Sequence, residues 1–212
     1  YLGVSLPVRQ SGRWTPSGDL RVGDRVASVR ELADAQGEAQ EDDLVTFLGL
    51  MLGDGGMISQ VGFTQDRGSP ALALMRDICR RRGWAYREYA KKGTNSVDLR
   101  FNRSSGAAEF LGGLGLLGLG SEAKFVPGAF LRLPRHQVRM LVEAMWACDG
   151  CIRGSGSRVE AVYATISPVL ARQMQSLLWR LGVPTRIREN VPVAYRGTSK
   201  RAYLVTVRTS EG

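Results

Sequence analysis

Two apolar stretches of the chain have the spacing of helices and end on the same two residues. Residues 44–52 carry apolar side chains every three or four positions, and the pattern stops at Gly53-Asp54-Gly55. Residues 135–148 show the same spacing and stop at Asp149-Gly150. Apolar positions three and four apart share one face of a helix, and glycine is common just past a helix end. The pattern therefore predicts two amphipathic helices, each ending on Asp-Gly.

Alternating polar and apolar residues elsewhere in the chain predict antiparallel strands. In residues 96–102, Val97, Leu99 and Phe101 alternate with polar residues, which places the three on one face of a strand. Residues 84–90 predict its partner strand, because a Lys-Lys-Gly-Thr-Asn turn joins the two segments. The other predicted elements are a hairpin-like segment at 57–66, strands at 159–166, 184–191 and 202–209, and helices at 70–82, 106–117 and 168–181.

The order of these elements occurs twice. Helix, strands, helix, strand, strand begins at each Asp-Gly helix, and the copies are offset by roughly a hundred residues. Such a repeat predicts an α+β fold with two similar lobes related by a pseudo-twofold axis. We place the first lobe and its linker at residues 43–134 and the second lobe at 135–212. Residues 1–42, rich in Gly, Pro and Ser and then acidic, form an N-terminal extension.

The composition shows that the chain is basic. The 212 residues include 29 lysines and arginines against 20 aspartates and glutamates, a net charge of +9, and only four of the basic residues are lysines. Arginine suits bidentate contacts to phosphates and guanine edges, although a GC-rich genome also favours it. Nucleic acid, or else a membrane surface, is the partner class that this balance favours.

The cysteines and the apolar runs bear on the compartment. Cys79, Cys148 and Cys151 are too few for a disulfide scaffold, which favours a reducing interior. The apolar runs are too short to span a bilayer, and no secretory signal opens the chain. We expect a cytoplasmic protein, associated with the nucleoid when it acts, and no membrane partner.

The two predicted helix ends have the residues of a divalent-metal site. Each helix has a small residue just before its terminal acid and another four positions earlier, which allows close packing of the two backbones. Side by side, the helices bring Asp54 and Asp149 together, an arrangement that is costly unless divalent cations lie between them. Paired carboxylates with metal ions are suited to phosphodiester cleavage. The alternative is two buried helices capped by Asp-Gly turns. The small residues are Gly49 and Gly53 in the first helix and Ala144 and Cys148 in the second.

The helix segments, FLGLMLGDG at 47–55 and VEAMWACDG at 142–150, resemble the duplicated motif of single-chain LAGLIDADG homing endonucleases. The resemblance extends over residues 43–209, with Leu52 and Ala147 where the family pattern has an earlier acid. It implies lobes of αββαββα type, motif helices packed at the lobe interface, and antiparallel sheets that form a saddle over duplex DNA.

The resemblance also implies the metal chemistry. Asp54 and Asp149, with Gly53 and Cys148 beside them, take the place of the residues that hold the catalytic metals in that family. The expected cofactor is Mg²⁺; we expect Mn²⁺ to substitute for it, and Ca²⁺ to bind without supporting cleavage.

Three further residues resemble family positions around the metals. Lys124, in the segment 114–127, resembles the lysine that intein-type members place at the catalytic site, where its charge supports the scissile phosphate or activates water. The alternative is a solvated linker lysine. Gln65 resembles a position that contacts the water network, and Lys200 is a loose counterpart of Lys124 in the second lobe.

The N-terminal extension carries a second resemblance. Residues 19–27, DLRVGDRVA, are similar to a strand region of the protein-splicing (Hint) domain of inteins. The chain opens with Tyr1 rather than Cys or Ser and lacks a final His-Asn pair, so we do not expect self-splicing. This predicts the intein-encoded type of endonuclease with a remnant of its host domain.

The expected DNA contacts fall into two groups. Strand and hairpin residues are candidates for reading bases in the major groove, and loop residues for contacting phosphates. The first group comprises Arg87, Arg100, Asn102, Arg186, Arg188, Arg208, Gln65 and Arg158, and the second Lys91, Lys92, Arg103, Arg196, Lys200 and Arg201; the alternative for each is a solvated surface charge.

Three other patterns do not support a function. The GxGxxG at 113–118 follows a helix rather than a strand, which excludes a dinucleotide fingerprint. The CxxC at 148–151 has no second pair, so neither zinc nor redox chemistry is expected. His136 is the only histidine and lies at a predicted helix start, which leaves a Ser or Cys triad without a base.

The predicted function is a monomeric, site-specific, metal-dependent double-strand DNA endonuclease that promotes intein mobility. The alternative is a non-cleaving DNA- or RNA-binding module of the same fold, such as a maturase or a transcription regulator. The presence of both Asp54 and Asp149 favours cleavage.

Overall fold

The computed structural model describes residues 14–24, 37–155, 158–195 and 198–208. The first half forms one lobe in the order helix, two strands, helix, two strands, helix. Its elements are α1 (Asp42–Asp54), β1 (Gly55–Gly56), β2 (Val61–Asp66), α2 (Pro70–Arg82), β3 (Tyr86–Ala90), β4 (Ser96–Phe101) and α3 (Gly106–Gly113).

The second lobe repeats this order as far as its fourth strand. A 3₁₀ turn (Ser121–Ala123) and the short helix α4 (Gly128–Leu131) lie in the connection. The elements that follow are α5 (Arg135–Asp149), β5 (Gly150–Ser155), β6 (Arg158–Thr165), α6 (Pro168–Arg180), β7 (Arg186–Tyr195) and β8 (Thr198–Arg208).

The two sheets have the same topology. Both are antiparallel, with strand orders β1-β2-β4-β3 and β5-β6-β8-β7. The registers correspond as well, since Gly55 pairs with Phe63 and Gly150 pairs with Tyr163. The predicted α+β class with two similar lobes is confirmed.

The core of the first lobe is an aromatic cluster between α1 and its sheet. The Phe47 ring lies 4.9 Å from that of Trp84 and 6.0 Å from those of Phe101 and Phe110, mostly edge to face. Such pairs add to the burial of large apolar surfaces. Val97, Leu99 and Phe101, the three residues predicted to share a strand face, are all fully or almost fully buried.

The limits of α2 and α6 follow from local chemistry. Ser69 and Ser167 cap the helices by accepting hydrogen bonds from the backbone amides of Ala71 and Leu170. Each helix then begins on a proline, which needs no amide partner at that position. The α2 helix ends at Gly83, whose φ of 65° is the left-handed conformation that glycine adopts without strain.

Hydrogen bonds from α6 and its N-cap residue hold the connection between the lobes in place. The Ser167 hydroxyl donates to the carbonyl of Lys124 at 2.7 Å, and the Gln173 amide exchanges two hydrogen bonds with the backbone of Val126. The buried Arg180 guanidinium donates to the carbonyls of Leu131 and Leu133 at 2.7 and 2.6 Å. Side chains on one helix therefore satisfy backbone groups of this connection that would otherwise be buried without partners.

Several expectations differ from the structure. The predicted elements omit β1, β5 and α4, and α3 ends at Gly113 rather than at 117. Residues 19–24 of the N-terminal extension were expected to form a strand, but Ser17–Asp19 is a 3₁₀ turn and Leu20 and Val22 are exposed. Residues 25–27 lie outside the described residues. No helix in the described part of the chain is long and apolar enough to cross a membrane.

Candidate active site

The helices α1 and α5 pack so closely that their ends meet. A β-carbon added to Gly49 would lie 2.6 Å from the Ala144 β-carbon, and one added to Gly53 would lie 3.0 Å from the Cys148 sulfur. Only glycine fits at these two positions of α1. The predicted close approach through small residues is confirmed.

Both terminal aspartates open into one cleft between the lobes. Its volume is about 810 Å³, and it is lined by the ends of α1 and α5 and by both sheets. The lining residues used below are Gly53, Asp54, Thr64, Lys91, Glu122, Lys124, Asp149 and Thr165. The close packing of the helices therefore brings the two predicted metal ligands to one place.

Asp54 is oriented from β2. The side-chain amide of Gln65 donates a hydrogen bond to Oδ2 of Asp54. Burial raises the pKa of the Asp54 carboxyl, while Lys124, Cys148 and Gln65 oppose that rise by favouring the ionised form. Gln65 therefore lies against one of the two predicted metal ligands, while its expected contacts with the water network and with bases stay predictions.

Fewer neighbouring groups favour the ionised form of Asp149 than that of Asp54. Burial and the negative charge of Asp54 together raise the pKa of the Asp149 carboxyl to about 7, against the opposing effect of Lys124. By register, Thr165 on β6 is the counterpart of Gln65 on β2, and its shorter side chain lacks an amide. The two halves of the site are therefore chemically different.

Lys124 is buried at the end of α1, with only 3% of its surface exposed. Its Nζ donates to the carbonyl oxygens of Met51, Leu52 and Gly53 at 3.0, 3.0 and 2.7 Å. All three donors of the ammonium are thus used on the last turn of the helix, where carbonyls lack partners within the helix. Burial lowers the pKa of Lys124 to about 8, against the pull of Asp149 and Asp54. The alternative of a solvated linker lysine is wrong.

The acid pair fits a divalent cation. Burial penalises the ionised form of both carboxyls, and the charge of Asp54 adds to the penalty at Asp149. A cation between the carboxylates removes that repulsion, and carboxylate oxygens are the ligands that Mg²⁺ prefers. Within the described residues there is no group of three or more His, Cys, Asp or Glu side chains that could enclose a metal. The remaining ligands would be the backbone oxygen at Cys148, water and substrate, as is usual for Mg²⁺. The backbone oxygen of Gly53, also an expected ligand, already accepts a hydrogen bond from Nζ of Lys124 at 2.7 Å and so has one lone pair left for a cation.

The outer face of the first sheet carries predicted DNA contacts. Arg87 and Arg100 are exposed and lie directly opposite each other on β3 and β4. Lys91, which lines the cleft, and Lys92 are exposed in the β3–β4 turn. After β4, Asn102 and Arg103 are also exposed, with Arg103 donating to the carbonyl of Ser59 at 3.5 Å. All six are exposed on the first lobe, but they do not form one cluster: Lys91 alone of the six lines the cleft, and the two lysines lie at the opposite end of β4 from Asn102 and Arg103.

The second sheet is described less fully. Arg186 and Arg188 lie on β7, where Arg188 pairs with Glu160 at 2.9 Å, and Arg201 is exposed on β8. Arg196 lies outside the described residues, as do the side chains of Arg158, Lys200 and Arg208. The DNA contacts expected of these four residues, like those expected of the other candidates on both sheets, stay predictions.

Two residues near the site were not predicted. Glu122, in the 3₁₀ turn, lines the cleft, and Ser167 fixes the backbone of Lys124 from the start of α6. A turn has no hydrophobic period, so nothing in the pattern marks Glu122. Ser167 had a signal, because Ser followed by Pro at the start of a helix is typical of an N-cap.

Comparison with known proteins agrees with this geometry. Residues 136–212 match the family described as LAGLIDADG-like domain. Curated relatives are the replicative DNA helicase DnaB of Synechocystis sp., 27% identical over 92% of this chain, and that of Rhodothermus marinus, 27% identical over 88%. The chain spans 23% and 22% of the lengths of these helicases, which is less than a quarter.

Solved structures of similar fold include those of the homing endonuclease I-DmoI. One is a structure of mesophilic variants, with a TM-score of 0.52 and 16% sequence identity. The match covers 78% of this chain and 88% of the I-DmoI chain. Another is a complex with DNA and Mn, with a TM-score of 0.50 and 17% sequence identity. This match covers 78% of this chain and 89% of the I-DmoI chain. Residues 136–212 thus match a LAGLIDADG-like domain, and the fold of the chain is similar to that of the homing endonuclease I-DmoI.

Proposed function

We propose that the protein is a site-specific endonuclease that cuts both strands of duplex DNA with the help of divalent metal ions. The observation that carries the proposal is the meeting of Asp54 and Asp149 in one cleft, at the ends of two helices in contact. Two half-buried acids beside a buried lysine are costly to a fold, and a structural role for them would be better filled by apolar residues.

Four side chains at the ends of the two helices have a part in this chemistry. Asp54 and Asp149 would hold Mg²⁺, which would supply a Lewis acid for activating water and for stabilising charge on the scissile phosphate. Gln65 orients the Asp54 carboxylate through its hydrogen bond. Lys124 fixes the last turn of α1, and its charge opposes the mutual repulsion of the acids.

The substrate fits the charge and shape of the cleft. The net charge is +9, exposed arginines lie on both sheets, and exposed lysines lie in the β3–β4 turn beside the cleft. Clustered basic residues favour a polyanion, and strands placed in a major groove read base edges. One such sheet on either side of the acids suits a duplex lying across both lobes, with the protein acting as a monomer.

The relatives support an intein origin. A segment with the fold of a nuclease aligns with less than a quarter of the length of replicative helicases, as expected of an element inserted into a host protein. We therefore propose that this chain is the endonuclease of an intein, that it acts inside the cell, and that its target is the host gene without the insertion. Residues 1–42 would be the remnant of the splicing domain.

Cleavage of a randomised duplex library in Mg²⁺, with sequencing of the cut ends, tests the proposal. The expected result is enrichment of one long motif cut on both strands, with no cutting in EDTA or by the Asp54→Asn/Asp149→Asn variant. Enrichment of bound but uncut duplexes in Mg²⁺ and in Mn²⁺ would overturn it in favour of a non-cleaving module.

A further inference from the structure

The outer face of the first sheet holds one arginine in a fixed position. The guanidinium of Arg100 donates through Nε to Oδ2 of Asp98 at 2.7 Å and lies 4.6 Å from the centre of the Tyr89 ring. Asp98 is itself held, because the Thr64 hydroxyl donates to its Oδ1 at 3.1 Å. An ion pair and a cation–π contact on one side chain reduce the rotamer freedom that an exposed arginine otherwise keeps.

A glycine on the neighbouring strand makes room for this arrangement. Gly62 on β2 lies directly opposite Arg100. A β-carbon there would lie 3.3 Å from Oδ1 of Asp98 and 3.0 Å from the carbonyl oxygen of Leu99. The bare backbone at position 62 therefore leaves space for the carboxylate that holds Arg100.

The contacts use only part of the guanidinium. Asp98 engages Nε, and in the described part of the chain no acceptor is found for the two terminal amino groups of Arg100. The Arg100 side chain is 48% exposed, against 14% for Asp98. Arg100 therefore presents two donors in a fork to solvent, from a side chain that is already fixed.

This geometry suits a base edge better than a phosphate. Asp98 neutralises much of the charge that would attract a phosphate, whereas it leaves the directional donors in place. Guanine is the base whose major-groove edge offers two acceptors, O6 and N7, and adenine replaces one of them with a donor. A guanidinium that is fixed in position and has two free donor groups thus matches the two acceptors of guanine.

The second sheet has no equivalent. By register, the counterparts of Asp98 and Arg100 are Leu204 and Thr206, and Val162 takes the place of Gly62. All three are buried, with 3%, 2% and 0% of their surfaces exposed. The feature therefore belongs to one lobe only.

We propose that Arg100 reads a guanine at one position of the half-site contacted by the first lobe, with Asp98 and Tyr89 as positioning residues. The inference rests on the proposed function, since it assumes that this sheet lies in the major groove of duplex DNA. We expect no equivalent guanine preference in the half-site contacted by the second lobe.

The test uses binding rather than cleavage. The Asp54→Asn/Asp149→Asn protein is the parent, and it selects from a random duplex library in Ca²⁺. Arg100→Gln and Asp98→Asn are made in the parent, and Arg172→Gln is the control, because it removes an exposed charge from α6. Melting curves check that all variants fold.

The parent is expected to select one position that is almost entirely guanine in the first half-site. Arg100→Gln is expected to lose that preference and to bind the selected site roughly 10- to 100-fold more weakly, with little change on a site that lacks the guanine. Asp98→Asn is expected to relax the preference and to steepen the dependence of binding on salt, since it frees the charge. Arg172→Gln is expected to match the parent.

Two results would overturn the inference. A uniform loss of affinity for all sequences in Arg100→Gln, with a smaller salt slope, would make Arg100 a phosphate contact. A parent that selects a motif without guanine in that half-site would exclude the reading of guanine and leave the proposed function intact. A parent that selects no sequence at all would instead refute the site-specific function itself.

Discussion

Gly49 and Ala144 touch where α1 crosses α5, so that a β-carbon at position 49 would lie 2.6 Å from the β-carbon of Ala144. The same added atom would lie 2.8 Å from the carbonyl oxygen of Leu141, which is backbone and cannot rotate away. The contact sets the distance between the two helices. It thereby sets the distance between the aspartates that end them, which is the geometric basis of the site.

Replacing Gly49 with alanine is expected to destabilise the fold. Alanine favours a helix interior by about 1 kcal/mol over glycine. The clash with Ala144 and Leu141 is nevertheless expected to lower the free energy of unfolding by about 2 kcal/mol in total. Urea denaturation measures the change. Gly113→Ala is the control, because this last residue of α3 has no atom within 4 Å of its added β-carbon. Equal stability of the two variants would refute close packing at the crossing.

Arg180 is expected to be essential to the docking of the connection on α6. Arg180→Met removes the donors to the carbonyls of Leu131 and Leu133 and leaves both without these partners. The expected loss is about 2 to 4 kcal/mol of unfolding free energy. Arg172→Met on the same helix is the control, since that side chain is 74% exposed, and it is expected to change stability by less than about 0.5 kcal/mol. Similar melting temperatures for the two variants would rule out this role.

The acid pair predicts how stability depends on pH in metal-free protein. Burial and the charge of Asp54 raise the folded-state pKa of Asp149 from 3.8 to about 7. Between these values the folded state holds a proton that the unfolded state has released, so stability falls as pH rises towards 7. Thermal melts in EDTA across this range measure the slope, and Asp149→Asn is expected to flatten it.

Metal binding is expected to reverse that trend. Mg²⁺ binds the ionised carboxylates, so its stabilising effect is expected to be larger at about pH 7.5 than at about pH 5. The same melts with added Mg²⁺ measure it. An unchanged pH slope in Asp149→Asn, or a Mg²⁺ effect that persists in Asp54→Asn/Asp149→Asn, would show that these acids do not hold the metal.

Replacing Gln65 is expected to slow the cleavage of one DNA strand more than that of the other. Its amide orients Asp54, whereas the counterpart in the second lobe, Thr165, has no amide to offer Asp149. Gln65→Ala is therefore expected to slow one of the two cuts by 10-fold or more, at about the magnitude of a lost positioning contact. On a supercoiled plasmid carrying the selected site, nicked circles are expected to accumulate. Thr165→Ala is the matched control, and equal slowing of both cuts by Gln65→Ala would contradict the asymmetry.

The repeat and the helix ends were predictable because they depend on local chemistry. Ser69, Pro70 and Gly83 start and end α2 through interactions within a few residues, so the expected range of 70–82 is the observed one. The meeting of Asp54 and Asp149 was predictable too, since glycine and other small residues at positions 49 and 53 and their counterparts have a direct meaning for packing.

Other features depend on contacts that a pattern does not encode. β1 and β5 begin at glycines directly after the helices, and pairing with β2 and β6 makes them strands despite their low propensity. The direction of Lys124 is likewise set by tertiary structure. Its three carbonyl partners lie more than seventy positions earlier in the chain, which no local spacing reveals.

The central claim is that Asp54 and Asp149 hold metal ions that cut DNA, and one measurement tests it directly. Binding and cleavage of the selected duplex are compared for the wild type, Asp54→Asn and Asp149→Asn, with binding measured in Ca²⁺ and cleavage in Mg²⁺. We expect each substitution to lower cleavage by at least about a thousandfold, the scale of losing a metal's electrostatic stabilisation. Affinity for the duplex is expected to stay within a few-fold of that of the wild type. Double-strand cleavage by either variant at the wild-type rate would contradict the account.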